Sequence, residues 1–129
     1  MSIRFGVSPI AWINDDLPAL GQDTPLESVF MEAQEVGFSG IELGGKFPKD
    51  PLALAQLLGN HRLVLVGGWY SASLLTRSAD AEIEALQAHL ALLKAMNCDV
   101  FIIAETSNAI HGNQARPLSE SPRLEAADW

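Results

Sequence analysis

The sequence is short of basic residues, cysteine and long apolar runs, and each shortage excludes something. Lys and Arg number 8 against 16 Asp and Glu, for a formal net charge of −8. No Lys/Arg run occurs, so nucleic acid and an anionic membrane surface are poor partners, because both are bound through clustered positive charge. The one cysteine, Cys98, cannot close an internal disulfide. Set among apolar residues at a strand start, it reads as a buried, inert thiol. No run approaches the roughly 18 apolar residues of a membrane span, and the first residues lack the basic-then-apolar pattern of a secretory signal. The expected location is the cytoplasm. Two nucleotide signatures are missing too: neither G-x-G-x-x-G nor a P-loop follows the first strand. No H-x-x-x-H, C-x-x-C or Asp-x-Asp cluster marks a metal site.

What is present is an ordinary globular composition, 48% hydrophobic and 19% charged over 129 residues, enough for one domain with a modest core. The chain alternates apolar strands with amphipathic helices. Ile3-Arg-Phe-Gly-Val7 reads as a first strand, Ile41-Glu42-Leu43 as a second, Leu63-Val-Leu-Val66 as a third and Val100-Phe-Ile-Ile-Ala104 as a fourth. Thr24, Pro25 and Glu27 spell a capping box at a first helix, which Gly37 ends in a left-handed conformation. Asp50-Pro51 opens a second helix that Gly59 terminates, and Ser78 caps a third with Ile83, Leu86, Leu90 and Leu93 as its buried stripe.

Steps of about 25 to 35 residues between strands are the length of right-handed βαβ units. Polar or aromatic residues follow all four strands. That pattern favours a (β/α)8 barrel, whose site lies at the C-terminal ends of its strands, over an open nucleotide-binding sheet. A barrel takes about 250 residues. The expected fold class is therefore α/β, the N-terminal half of a TIM barrel: four parallel strands with crossover helices in a single partial domain, residues 1–129, with a loop-like tail over 106–129. Taken alone, such a half would leave strand edges unpaired.

Candidate site residues come from the strand exits, and each has a plainer reading. Glu42 and Glu105 end strands two and four as acid/base candidates, or are solvated loop carboxylates. Lys46 follows the Gly44-Gly45 turn as a proton shuttle or anion anchor, or is a surface lysine. His111 lies six residues beyond Glu105 as an acid/base or ligand, although a lone loop histidine is more often neither. Trp12, Trp69 and Tyr70 suit the C–H faces of a sugar or cyclic polyol, or simply pack. Asn14 could bond a hydroxyl or only shape a turn. His61 precedes a strand, at the wrong end of a barrel for catalysis, and His89 sits at a packing edge.

Taken together, residues 3–16 (Ile-Arg-Phe-Gly-Val-Ser-Pro-Ile-Ala-Trp-Ile-Asn-Asp-Asp), Gly40-Ile-Glu-Leu-Gly-Gly-Lys-Phe-Pro48, Gly68-Trp-Tyr-Ser71 and Ala104-Glu105 with Ile110-His-Gly112 resemble the inosose dehydratases (2-keto-myo-inositol dehydratases). These are enzymes of myo-inositol catabolism in the xylose-isomerase-like barrel superfamily. The resemblance runs from the first strand to about Pro117. It implies a hydro-lyase that removes water from 2-keto-myo-inositol to give a trihydroxycyclohexane-1,2-dione. It also implies a cyclic polyol ketone as small-molecule partner, neither nucleic acid nor membrane as partner, and a homo-oligomer as a further expectation. The cofactors implied are Mn2+ or Co2+, sometimes with glutathione. The superfamily's metal ligands come from later strands, beyond residue 129, so none is expected here and this chain alone is expected to be inactive. What remains open is which of Glu42, Lys46, Glu105 and His111 takes the proton. Two rivals stand beside this reading, a sugar isomerase or epimerase on the same barrel and a non-catalytic half-barrel. A DNA-repair endonuclease on that barrel fits the charge of −8 less well.

Overall fold

A computed structural model describes residues 3–128. Four parallel strands form one sheet in the order β1-β2-β3-β4: β1 Gly6–Val7, β2 Gly40–Leu43, β3 Val64–Ala72 and β4 Phe101–Glu105. Helices α1 (Leu26–Val36), α2 (Pro51–Asn60), and the pair α3 (Ala79–Ala85) and α4 (Gln87–Ala95) make the crossovers. Consecutive strands are sheet neighbours throughout, as in one half of a TIM barrel. β1 and β4 are the sheet's edges.

The helices cover one face of the sheet. Val29, Phe30 and Ala33 of α1, Leu54 and Leu58 of α2, and Leu92 and Leu93 of α4 bury against Ile41 and Leu65. Each large side chain removed from water this way contributes about 1.5–3 kcal/mol. Cys98 joins this core as a free thiol.

Several local expectations are corrected. The first strand pairs only over Gly6–Val7, not from Ile3. The capping box does not form. Pro25 takes the N-cap position, no side chain caps the end, and Glu27 instead bonds the buried His61 ring (Nε2–Oε1 3.0 Å). That contact gives His61 its structural place. Gly37 does end α1 in the left-handed region, at φ 98°. Gly59 does not end α2: the helix runs to Asn60, and Arg62 takes the left-handed turn at φ 56°. Asp50 and Ser78 cap as expected, accepting from the Ala53 and Ala81 N–H groups. The third helix breaks at Leu86 into α3 and α4. Its buried face is turned so that Glu82 is 2% exposed and Ile83 is 55% exposed. The tail contains two 3-10 turns, Leu118–Glu120 and Ala126–Asp128.

The largest departure is β3. It does not end at Val66 but runs on through Gly67-Gly68-Trp69-Tyr70 to Ala72. It also carries an extra residue against β2: Ile41 pairs with Leu65, but Glu42 pairs with Gly67. Val66 is the residue skipped. Beyond the bulge, Gly68 and Tyr70 face the helices, while Gly67 and Trp69 face the other side with Ile102. Alternation along a strand sends neighbours to opposite faces, so adjacent aromatics predicted to share a wall cannot do so.

Candidate functional site

At the C-terminal ends of β1, β2 and β3 lies a cleft of about 320 Å³. It is lined by Ser8, Pro9, Ile10, Asp15, Asp16, Glu42, Leu43 and Trp69. The floor is the end of β2. Glu42 is half-buried there, and its carboxylate has no hydrogen-bond or ion-pair partner among the described residues. Trp69 stands beside it, 55% exposed, with its Nε1–H donated to Ser71 Oγ at 3.0 Å. An apolar ring beside an unengaged carboxylate is the kind of wall a polyhydroxylated ring can use.

The loop after β1 makes the opposite wall, and it is built from its own side chains. Asn14 Oδ1 accepts from the N–H groups of Asp16 and Leu17, both at 2.9 Å, an Asx turn that fixes the aspartate pair. Asp15 then accepts from the Gly45 N–H at 2.8 Å. A Cβ on Gly45 would lie 2.8 Å from that carboxylate, so glycine is needed there for close approach. Asp16 Oδ1 meets His111 Nε2 at 3.3 Å, which brings the loop after β4 to the loop after β1.

The expected residues therefore part company. Glu42 and Trp69 line the cleft together, and His111 reaches its rim through Asp16. Lys46 is turned away: Nζ donates to the carbonyls of Gln22 (2.8 Å) and Thr24 (2.9 Å), so its charge straps two loops together. Trp12 donates to Glu32 of α1 at 2.7 Å. Asn14 shapes its turn. Tyr70 lies on the helix side, its hydroxyl donated to Glu82 at 2.7 Å. There the hydrogen bond to Glu82 holds the phenol above its ordinary pKa, and burial pushes the same way. Glu105 pins loops: it accepts from the N–H groups of Ser107 (2.6 Å) and Leu74 (2.5 Å). Ser107 beside it is the largest cause of a carboxyl held below the usual glutamate range, against desolvation, with the Leu74 and Leu75 N–H groups helping. The Ser107 hydroxyl has no hydrogen-bond partner among the described residues, and the directed contacts to Glu105 come from backbone N–H groups.

Sequence reasoning passed over Ser8, Asp15 and Asp16 as wall residues. The signal was available: they follow strand one, the same rule that selected Glu42. No group of three or more His, Cys, Asp or Glu among the described residues is placed to hold a metal ion.

No family model matches the sequence. The chain is similar over its whole length to curated proteins. It is 42% identical over 129 residues to the rhizopine catabolism protein MocC of Rhizobium meliloti, covering 100% of this chain and 40% of that protein. It is 36% identical over 130 residues to an inosose dehydratase of Lacticaseibacillus casei (100% and 44%). It is 33% identical over 128 residues to that of Geobacillus thermodenitrificans (98% and 43%). The likeness thus runs past Pro117, further than the motifs alone carried it. The chain spans about two fifths of the length of these relatives. Among solved structures, an AP endonuclease of family 2 from Brucella melitensis matches with a TM-score of 0.58 at 17% identity, over 81% of this chain and 41% of that one. At that identity the match speaks for the fold alone.

Proposed function

We propose that this chain supplies the first half of the active site of a hydro-lyase acting on 2-keto-myo-inositol, with Glu42 as the proton-abstracting base. The supporting observation is the pairing of Glu42 and Trp69 in one cleft, in a chain similar end to end to proteins named inosose dehydratase.

The chemistry follows from the substrate class. A ketone acidifies the adjacent C–H. Glu42, unengaged by other groups, takes that proton, and the electron pair forms the C=C bond as the β-hydroxyl leaves. His111, held by Asp16, gives that hydroxyl a proton, so that water departs. The resulting enol tautomerises to the 1,2-dione. Trp69 packs on the C–H face of the ring, and Ser8 is a hydroxyl partner within the cleft. Lys46 acts only through the loops it straps.

The described residues do not fit a metal cage: Asp15 is engaged by Gly45 and Asp16 by His111. No step here runs through a metal. Mn2+ or Co2+ belongs to this proposal only with ligands from other residues, and none of the described residues is assigned to glutathione. No helix among the described residues is long and apolar enough to cross a membrane, and a cytoplasmic location remains part of the proposal. The exposed Phe5 and Ile103, near the two sheet edges, favour association, with a second copy or with further chain.

The test is to incubate the protein from its native source with 2-keto-myo-inositol and follow diketone absorbance. Growth of that absorbance supports a dehydratase. Interconversion of ketose and aldose without diketone would move the assignment to an isomerase.

A further inference from the structure

The adjacent glycines Gly67 and Gly68 are both buried, and they face opposite sides of the sheet. A Cβ on Gly68 would stand 2.7 Å from Leu93 Cδ2 and 2.9 Å from His89 Nε2. That glycine admits α4 to the sheet. A Cβ on Gly67 would stand 3.2 Å from Ile102 Cδ1, 3.4 Å from Glu42 Cγ and 3.6 Å from Glu42 Oε1. Gly67 faces Glu42 only because the bulge skips Val66. In regular pairing Val66 would stand opposite Glu42, and its branched side chain would occupy the space beside the carboxylate. Bulges recur beside active sites, where they re-aim side chains.

From this geometry we infer that Gly67 is the positioning residue for Glu42: the bulge and the missing Cβ together leave the Glu42 carboxylate free and solvated at the cleft floor. The kinetic part of this inference rests on the proposed dehydratase reading. The placement does not.

The test is a pair of substitutions at Gly67 beside one at Gly68, read by the 13C chemical shift of the Glu42 carboxyl at neutral pH. Gly67→Ala puts an apolar methyl against the Glu42 side chain, and Gly67→Ser puts there a hydroxyl that can donate to Oε1, so both move the Glu42 resonance and by different amounts. Gly68→Ala lowers thermal stability and leaves the Glu42 resonance where it was. In the active protein, Gly67→Ala lowers kcat roughly tenfold with little change in KM. A Glu42 resonance indifferent to both Gly67 variants, or moved equally by Gly68→Ala, overturns the inference. If the parent shows no dehydration, the proposed reaction falls, while the resonance still decides the role of Gly67.

Discussion

The Tyr70 hydroxyl donates to Glu82 Oε1 at 2.7 Å across the interface between β3 and α3. Glu82 is almost wholly buried, and Ser73 N–H and Arg77 complete its shell at 3.2 Å each. This cluster explains why α3 presents a glutamate to the core where an apolar residue was expected. A buried carboxylate is tolerable only when its oxygens are satisfied.

From that cluster follows a pH dependence. The Tyr70 hydrogen bond is the leading cause that holds the Glu82 carboxyl below its ordinary value, against desolvation. A depressed carboxyl pKa stabilises the fold above the unfolded value, and that contribution is lost as pH falls through the folded one. Tyr70 is shifted upward, so its share is present below the unfolded phenol value and lost as pH rises through the folded one. Stability to urea should fall at both ends, below about pH 4.5 and above about pH 10. Tyr70→Phe should flatten the alkaline fall and shrink the acid one. Unchanged slopes at both ends in Tyr70→Phe would remove this account.

Lys46 gives a second prediction. Its ammonium bonds two carbonyls at the protein surface, so Lys46→Met should cost about 1 kcal/mol in chemical denaturation. Activity per folded molecule should change little. A large loss of kcat in a fully folded Lys46→Met protein would return Lys46 to the chemistry.

The helix-facing glycine gives a third. Gly68→Ala has to displace Leu93 and His89, an overpacking that should cost about 1–3 kcal/mol. Thermal unfolding of Gly68→Ala against the parent measures it, and equal midpoints would mean that α4 yields without strain.

A fourth concerns the second helix. Asp50 accepts from the Ala53 N–H at 2.8 Å, so Asp50→Ala should lose about 1 kcal/mol, while Asp50→Asn or Asp50→Ser retains most of it. Denaturation of the three variants decides whether the cap or the charge matters.

The strand-helix order and the exits of the strands were legible because buried strands and amphipathic helices leave periodic apolar patterns. Glu42 was legible for the same reason, as a charge at the end of an apolar run. Tyr70 was misplaced because a Gly-Gly pair reads as the end of a strand, whereas here Gly67 and Gly68 make room on opposite faces and the strand continues. The bulge at Val66 has no sequence signature of its own, since it depends on pairing with a strand more than twenty residues away. Glu27 shows the same limit: its spacing from Thr24 fits a capping box, but tertiary contact with His61 claims the side chain. Lys46 and Glu105 stand where site residues stand in a barrel, and backbone groups of neighbouring loops claim both.

The most direct test of the central claim is the rate of diketone formation from 2-keto-myo-inositol by the native protein and by its Glu42→Gln variant, with circular dichroism confirming the same fold. The expected result is turnover by the parent and a loss of about 10²–10⁴-fold in kcat for Glu42→Gln. Undiminished turnover in a folded Glu42→Gln protein would contradict the assignment of the base. No diketone from the parent would contradict the reaction itself.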